Sequence, residues 1–301
     1  IIAGAGTGKT TVITRRIANL ILEEIVKPDE VLALTFTDKA AGEMQERIEQ
    51  LLPIGYVDLW VSTFHAFCER ILRNHAIDVG LLHDFRLLSQ NEQIVLLRSH
   101  IDELELEYYR PKGNPTKFVS ALISHFSRLK DEDITPEQYL AYAQQVQLTS
   151  DAAEGIAPKS QLSFAMPKTP EERAELAQEA ARVGEVARAY QLYQQLLRDA
   201  GALDFGDLIV EVIHLFKERP HILKKYQEQF RYVVVDEFQD TNTLQYKWLT
   251  LLSGGGANMF AVGDDDQSIF RWRGASLSNI IQFGREFPEA SKIVLTENYR
   301  S

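Results

Sequence analysis

Short apolar runs and long amphipathic stretches alternate along this chain and fall in separate regions. Val31-Leu32-Ala33-Leu34, Leu59-Trp60-Val61-Ser62, Arg231-Tyr232-Val233-Val234-Val235-Asp236, Met259-Phe260-Ala261-Val262-Gly263 and Lys292-Ile293-Val294-Leu295 have the length and composition of buried strands. Between the runs, apolar residues recur every three or four positions. Ile13, Ile17, Leu20 and Ile21 do so with Glu24 in register, Ala40, Met44, Ile48 and Leu51 share one helical face, and a further helix is expected from Ala66 to about His75. Strands alternating with helices predict an α/β fold built on a parallel sheet. Ligands of such sheets sit at the carboxyl ends of the strands, so the loops after Leu34 and Ser62 should share an edge with any site there.

From about Gln90 to Leu203 the strand pattern stops. Ile94 to Leu106, Phe118 to Leu129, Pro136 to Gln147 and Pro170 to Arg198 read as helices, and Leu148 to Thr169 as a flexible loop. The expected organisation is an α/β domain over 1–89 and 204–301 with an all-helical domain, 90–203, inserted in it. No internal repeat is evident.

The strongest chemical signal is Ala3-Gly4-Ala5-Gly6-Thr7-Gly8-Lys9-Thr10, followed by Thr11. It fits the phosphate-loop pattern G-x-x-x-x-G-K-[ST], with Ala3 in the place of the first glycine. Small residues let several backbone N–H groups converge on one anion at a helix N-terminus. Lys9 adds a mobile positive charge for the β- and γ-phosphates, and the Thr10 hydroxyl can ligate Mg²⁺. Only Ile1 and Ile2 precede the loop, whereas such loops follow a full strand, so the start reads as truncated. At the far end of the chain, Tyr232 to Asp240 (YVVVDEFQD) is an apolar strand ending in two carboxylates. Asp236 can hold the same Mg²⁺, and Glu237 can polarise an attacking water. Loop, strand and acidic pair together predict ATP hydrolysis.

Composition narrows the setting. Cys68 is the only cysteine, so no disulfide can form within the chain, and a reducing, cytoplasmic location is the default. No apolar run approaches a membrane span, which predicts no membrane partner. A formal net charge of −11 argues against a basic coat but not against a local nucleic-acid groove.

Several stretches together resemble the UvrD/PcrA/Rep family of superfamily-one DNA helicases. They are AGAGTGKT, Thr35 to Met44 (TFTDKAAGEM), Thr63 to Phe67 (TFHAF), Leu203 to Ile209 (LDFGDLI), Val235 to Asn242 (VDEFQDTN), Val262 to Ala275 (VGDDDQSIFRWRGA) and Leu295 to Ser301 (LTENYRS), all in the family's order. The resemblance implies a RecA-like P-loop NTPase sheet, the first of two motor domains, with the second beyond the end of this chain. It implies ATP and Mg²⁺ as cofactors, and as partners single-stranded DNA and its junctions with duplex. By the same resemblance Gln267 senses the γ-phosphate, Arg300 is an arginine finger, Tyr299 stacks on adenine, and Thr37, Thr63, Phe64, His65, Phe270, Trp272 and Arg273 line the DNA path. Aromatic residues beside arginines suit single-stranded DNA independently, because stacking contributes about 1–3 kcal/mol per base and tolerates any sequence. Phe36 and Phe67 read equally well as core.

The chain departs from the family's pattern at Thr11, where many relatives carry an arginine, at Phe270 for tyrosine, and at Gly206 for aspartate. Two alternatives stay open, a helicase–nuclease of the AddA/RecB kind and a nucleotide-switched DNA-binding module that does not translocate. ABC-type transport and GTPase readings fit poorly, because Leu252-Ser253-Gly254-Gly255-Gly256 follows a helix and no guanine-reading NKxD is present. His65, Cys68 and His75 lack a fourth ligand and are expected to pack or contact DNA.

Overall fold

A computed structural model describes residues 1–4, 6–53, 59–109, 115–156, 166–167, 169–264 and 277–298. In chain order the elements are β1 (Ile2–Ala3), α1 (Lys9–Leu22), β2 (Val31–Thr35), α2 (Asp38–Leu51), β3 (Trp60–Thr63) and α3 (Phe64–Asn74). Then come β4 (Arg86–Leu87), α4 (Gln90–Ser99), α5 (Pro115–Asp131), α6 (Pro136–Ala153), α7 (Pro170–Asp199) and β5 (Ala202–Leu203). Last are α8 (Phe205–Glu218), α9 (Pro220–Gln229), β6 (Tyr232–Val235), α10 (Thr243–Ser253), β7 (Asn258–Ala261), α11 (Leu277–Glu286) and β8 (Val294–Leu295). The chain divides into two compact units, residues 1–83 with 207–301, and residues 84–206.

The first unit is an α/β unit. Its four-stranded sheet runs β3-β2-β6-β7, every pair parallel, with Thr35 opposite Thr63, Leu34 opposite Val235 and Val235 opposite Ala261. β1 pairs in parallel with β8, and Gly263 ties that pair to β7. Its carbonyl accepts from Ala3 N–H at 2.9 Å and its own N–H donates to Ile1 O at 3.0 Å. All five residues of β2 are buried, as expected of a strand covered on both faces. Ile13, Ile17 and Ile21 of α1, Met44 and Ile48 of α2, and Val31, Ala33 and Val234 form one apolar layer. The buried face of α2 is Ala41, Met44 and Ile48, whereas the sequence pattern suggests Ala40 and Leu51 at its ends; Leu51 is 43% exposed. Thr37 fixes this phase by capping the helix, its Oγ1 accepting Ala40 N–H at 3.1 Å. An aromatic cluster fills another part of the unit. Phe67 meets Trp248 edge-on at 5.3 Å and Phe230 at 5.5 Å, and all three rings are buried.

The second unit is helical. Phe126 stacks on Tyr190 at 4.9 Å and on Tyr193 at 5.3 Å, amid Leu97, Val119 and Leu197. Three local expectations are corrected here. The helix expected through Leu106 stops at Ser99, where His100 caps it and a 3₁₀ turn takes over Ile101–Leu104. The loop expected from Leu148 is helical to Ala153, because Thr149, Ser150 and Ala152 are buried and the Thr149 hydroxyl donates to Gln145 O at 2.8 Å instead of breaking the helix. A two-residue parallel ladder, Arg86–Leu87 against Ala202–Leu203, appears where no strand pattern exists.

Two buried acids shape this unit. Glu185, 4% exposed, accepts the N–H groups of Glu107, Tyr108 and Tyr109 at 3.1, 2.6 and 3.1 Å. Asp204 accepts from Lys130 Nζ at 2.6 Å and from Tyr193 Oη at 2.9 Å. A Cβ at position 206 would stand 2.8 Å from Lys130 Cδ, which is a steric reason for glycine there. No helix among the described residues is long and apolar enough to cross a membrane.

Candidate active site

The phosphate loop begins where β1 ends. Ala3 is a strand residue, 1% exposed, so its small side chain packs inside and its backbone faces the loop. Thr7 Oγ1 donates to Gly4 O at 2.7 Å and tightens the turn. Gly6 at φ 79° and Gly8 at φ 87° are left-handed, a conformation costing other residues about 1–2 kcal/mol. Gly8 is also the N-cap of α1 and supplies no capping side chain. The first N–H groups of α1 therefore lack a side-chain partner at the end where the helix dipole favours an anion. Ala5 lies outside the described residues, Thr10 is half-buried and Thr11 is exposed.

Lys9, the first residue of α1, reaches the end of β6. Its Nζ lies 2.9 Å from Glu237 Oε2 and 3.8 Å from Asp264 Oδ2. Asp236 leaves the strand by donating its N–H to Leu34 O at 2.9 Å, and its Oδ1 accepts Glu237 N–H at 2.9 Å. Glu237 is itself left-handed, at φ 48° and ψ 44°. Such strain costs a non-glycine residue on the order of 1 kcal/mol and concentrates at functional sites. Burial pushes the Asp236 carboxyl up to about 6, with repulsion from Glu237 adding to it and the Glu237 N–H and Lys9 opposing it. A carboxylate in that position gains from a bound cation.

Two residues here escaped individual notice in the sequence. Gln239, 3% exposed, donates from Nε2 to Glu237 Oε2 at 2.8 Å and accepts Asp264 N–H on Oε1 at 2.9 Å. Asp264, also 3% exposed, faces Lys9. Both stand inside stretches that carry the family resemblance, and their neighbours Asp240 and Asp265 are as polar as they are, so no local contrast in the sequence singles them out.

The ends of β2 and β3 lie side by side. Thr37 caps α2, and Thr63 caps α3 by accepting Ala66 N–H at 3.2 Å while its hydroxyl donates to Asp38 Oδ1 at 3.4 Å. The cap starts α3 at Phe64, two residues before the expected start. Phe64 is consequently turned inward, 1% exposed, with Phe36 at 5.5 Å and Trp248 at 5.8 Å. The expectation that Phe64 offers an open ring to DNA is corrected: its ring backs Phe36, which is half-buried. His65 is half-buried and Thr37 exposed. Gln267, Phe270, Arg271, Trp272, Arg273, Tyr299 and Arg300 lie outside the described residues.

Among the described residues, no group of three or more His, Cys, Asp or Glu is arranged to hold a metal unaided. Mg²⁺ does not need one, since it keeps waters and uses one or two protein ligands plus phosphate oxygens. Asp236, buried with its charge destabilised, and the hydroxyl of Thr10 in the first turn of α1 fit such a share. Cys68 is wholly buried, which pushes its thiol up, and His75 Nδ1 sits 3.2 Å from Asp78 Oδ2.

A parallel sheet with a phosphate loop leading into α1 and an Asp-Glu pair at the end of β6 places the chain in the class of P-loop α/β folds. The UvrD/REP helicase N-terminal domain family matches residues 1–288, and the chain belongs to that family. It is 37% identical over 301 residues to DNA helicase II of Escherichia coli (strain K12), covering all of this chain and 36% of that protein. It is 38% identical over 302 residues to ATP-dependent DNA helicase PcrA of Bacillus subtilis (strain 168), covering all of this chain and 35% of that one. PcrA of Staphylococcus aureus (strain Mu50) is 39% identical, with 36% of its length covered. The chain thus spans about a third of the length of these curated relatives.

Proposed function

We propose that this chain is the first motor domain of an ATP-dependent DNA helicase that moves 3′ to 5′ along single-stranded DNA and unwinds duplex. The observation that carries the reading is the meeting of Lys9 and Glu237 at 2.9 Å, with Asp236 beside them. In this reading residues 1–89 and 204–301 form the motor and 90–203 an inserted helical domain that touches duplex ahead of the fork. The remaining two-thirds of a protein of the relatives' length would hold a second motor domain, in a cytoplasmic setting.

The chain's own residues supply most of the chemistry. Amides of the Gly4–Gly8 turn and the N-terminus of α1 cradle the phosphates, and Lys9 leaves Glu237 to neutralise the β- and γ-oxygens. Asp236 and Thr10 would hold Mg²⁺, which when bound would neutralise phosphate charge. Glu237, freed of Lys9, orients the attacking water. Gln267 and Arg300 complete the γ-phosphate environment, and Tyr299 stacks on the base. Single-stranded DNA runs over the ends of β2 and β3, its phosphates near the capped N-termini at Thr37 and Thr63 and near His65, its bases against Phe36 and against Phe270, Trp272 and Arg273.

The test is ATP turnover by the intact protein with and without single-stranded DNA, beside Glu237→Gln. DNA-stimulated turnover, abolished by the substitution while nucleotide still binds, supports the reading; turnover indifferent to DNA overturns it. A fluorescent duplex with a 3′ tail, unwound in preference to one with a 5′ tail, tests the polarity.

A further inference from the structure

Glu237 and Asp264 stand at the ends of neighbouring strands, and one side chain spans them. Gln239 donates from Nε2 to Glu237 Oε2 at 2.8 Å, while its Oε1 accepts the backbone N–H of Asp264 at 2.9 Å. Both of its polar ends are thus used, and at 3% exposure water cannot substitute for either partner. The site is cut to fit this carboxamide. A Cβ on Gly263 would lie 2.9 Å from Gln239 Oε1, so any side chain at position 263 would push the amide off Glu237. The adjoining backbone is pinned as well, since Phe238 N–H donates to Val262 O at 2.8 Å.

The consequence concerns what happens when Lys9 leaves. In this structure Glu237 Oε2 accepts from Lys9 Nζ and from Gln239 Nε2 together. Once Lys9 turns to phosphate, Gln239 is, among the described residues, the side chain that still donates to that carboxylate. A neutral donor fixes a carboxylate's direction without cancelling its charge, which is what a water-orienting group requires. Asp264, on the other side, is followed in the chain by Gln267 and Trp272. A shift of the Asp264 amide therefore pulls on the group that aims Glu237.

We propose that Gln239 is a positioning residue that couples the aim of Glu237 to the backbone leaving β7, so that nucleic acid engaged after β7 sets the rate of hydrolysis. The inference rests on the motor reading above and names the residue through which its two sites communicate. Coupling of this kind is a free energy between sites and is read as a ratio of rates.

The experiment uses the intact protein with Gln239→Glu and Gln239→Met. The first keeps an acceptor for Asp264 N–H and loses the donor to Glu237, and the second keeps side-chain length and loses both. In each, DNA-stimulated turnover is expected to fall about tenfold or more, while nucleotide Kd stays within about threefold of wild type. For Gln239→Glu alone, turnover relative to wild type should recover as pH falls from about 8.5 to about 6, because burial against Glu237 raises the introduced carboxyl above its ordinary value of about 4.3 and protonating it restores a donor. Stimulated turnover within about twofold of wild type in either folded variant overturns the proposal. So does an equal, pH-independent loss in both, which marks a purely structural residue. If Gln239→Glu does not fold, Gln239→Met decides by the same turnover criterion. A wild-type protein that DNA does not stimulate refutes the motor reading instead, so the two failures are distinguishable.

Discussion

Lys9 Nζ and Glu237 Oε2, 228 positions apart in the chain, are 2.9 Å apart in the folded protein. In the proposed reading these are the lysine for phosphate and the carboxylate for water, and here they form an ion pair. If Lys9 serves phosphate as proposed, nucleotide binding breaks this pair, and the bonds that Lys9 then makes to phosphate oxygens offset its loss.

Removing one partner should therefore have opposite effects on binding. Glu237→Gln is expected to bind nucleotide as tightly as wild type or severalfold more tightly, because Lys9 is released, while Lys9→Ala should weaken binding by about tenfold or more. Titration with a fluorescent nucleotide analogue checks both. Equal weakening in the two variants would contradict the competition.

Phe64 and Phe36 touch but should fail differently. Phe64 is wholly buried against Trp248, so Phe64→Ala is expected to cost about 3–5 kcal/mol of stability, read by urea unfolding. Phe36 is half-buried, and Phe36→Ala should cost less stability yet weaken single-stranded DNA binding by about tenfold, in line with one lost stack.

Thr63 anchors α3 by accepting Ala66 N–H. Thr63→Val keeps the shape and removes the cap, at an expected cost of about 1 kcal/mol. A thermal scan should show a modest drop in Tm with the fold retained.

Asp131 gives the second unit a pH dependence. Burial, with Glu132 and then Asp204 adding repulsion, pushes its carboxyl up to about 7, above its ordinary value of 3.8. The folded state thus binds a proton that the unfolded state has already lost, and stability falls as pH rises from about 4 to about 7, then levels off. Asp131→Asn should flatten this slope and stabilise the protein at pH 8 by on the order of 1 kcal/mol. Urea unfolding of both forms at pH 5 and pH 8 measures the difference.

The parallel α/β fold, the loop at Gly4 to Thr10 and the acidic pair at Asp236 and Glu237 were legible because each depends on local pattern: apolar runs, helical spacing and small residues before a lysine. Phe64 was not, since an aromatic just past a strand looks the same whether the next helix starts before or after it; the Thr63 cap decided that. Gln239 escaped because its contacts need Glu237 from its own turn and Asp264 from the chain that follows β7, and no spacing encodes that meeting. The ladder between β4 and β5 is too short to carry a period. The extension of α6 depended on Thr149 bonding back to its own helix, a choice that a run of polar residues leaves open.

The central claim is that one sheet edge joins a triphosphate site to a path for unpaired bases. The most direct measurement is steady-state ATP hydrolysis by the intact protein, titrated with single-stranded DNA, for wild type and Glu237→Gln. The account predicts a rise of about tenfold or more at saturating DNA in wild type and at least about a hundredfold loss in the variant, with nucleotide binding preserved. Turnover unchanged by saturating DNA, or a Glu237→Gln protein that still hydrolyses ATP at the wild-type rate, would contradict it.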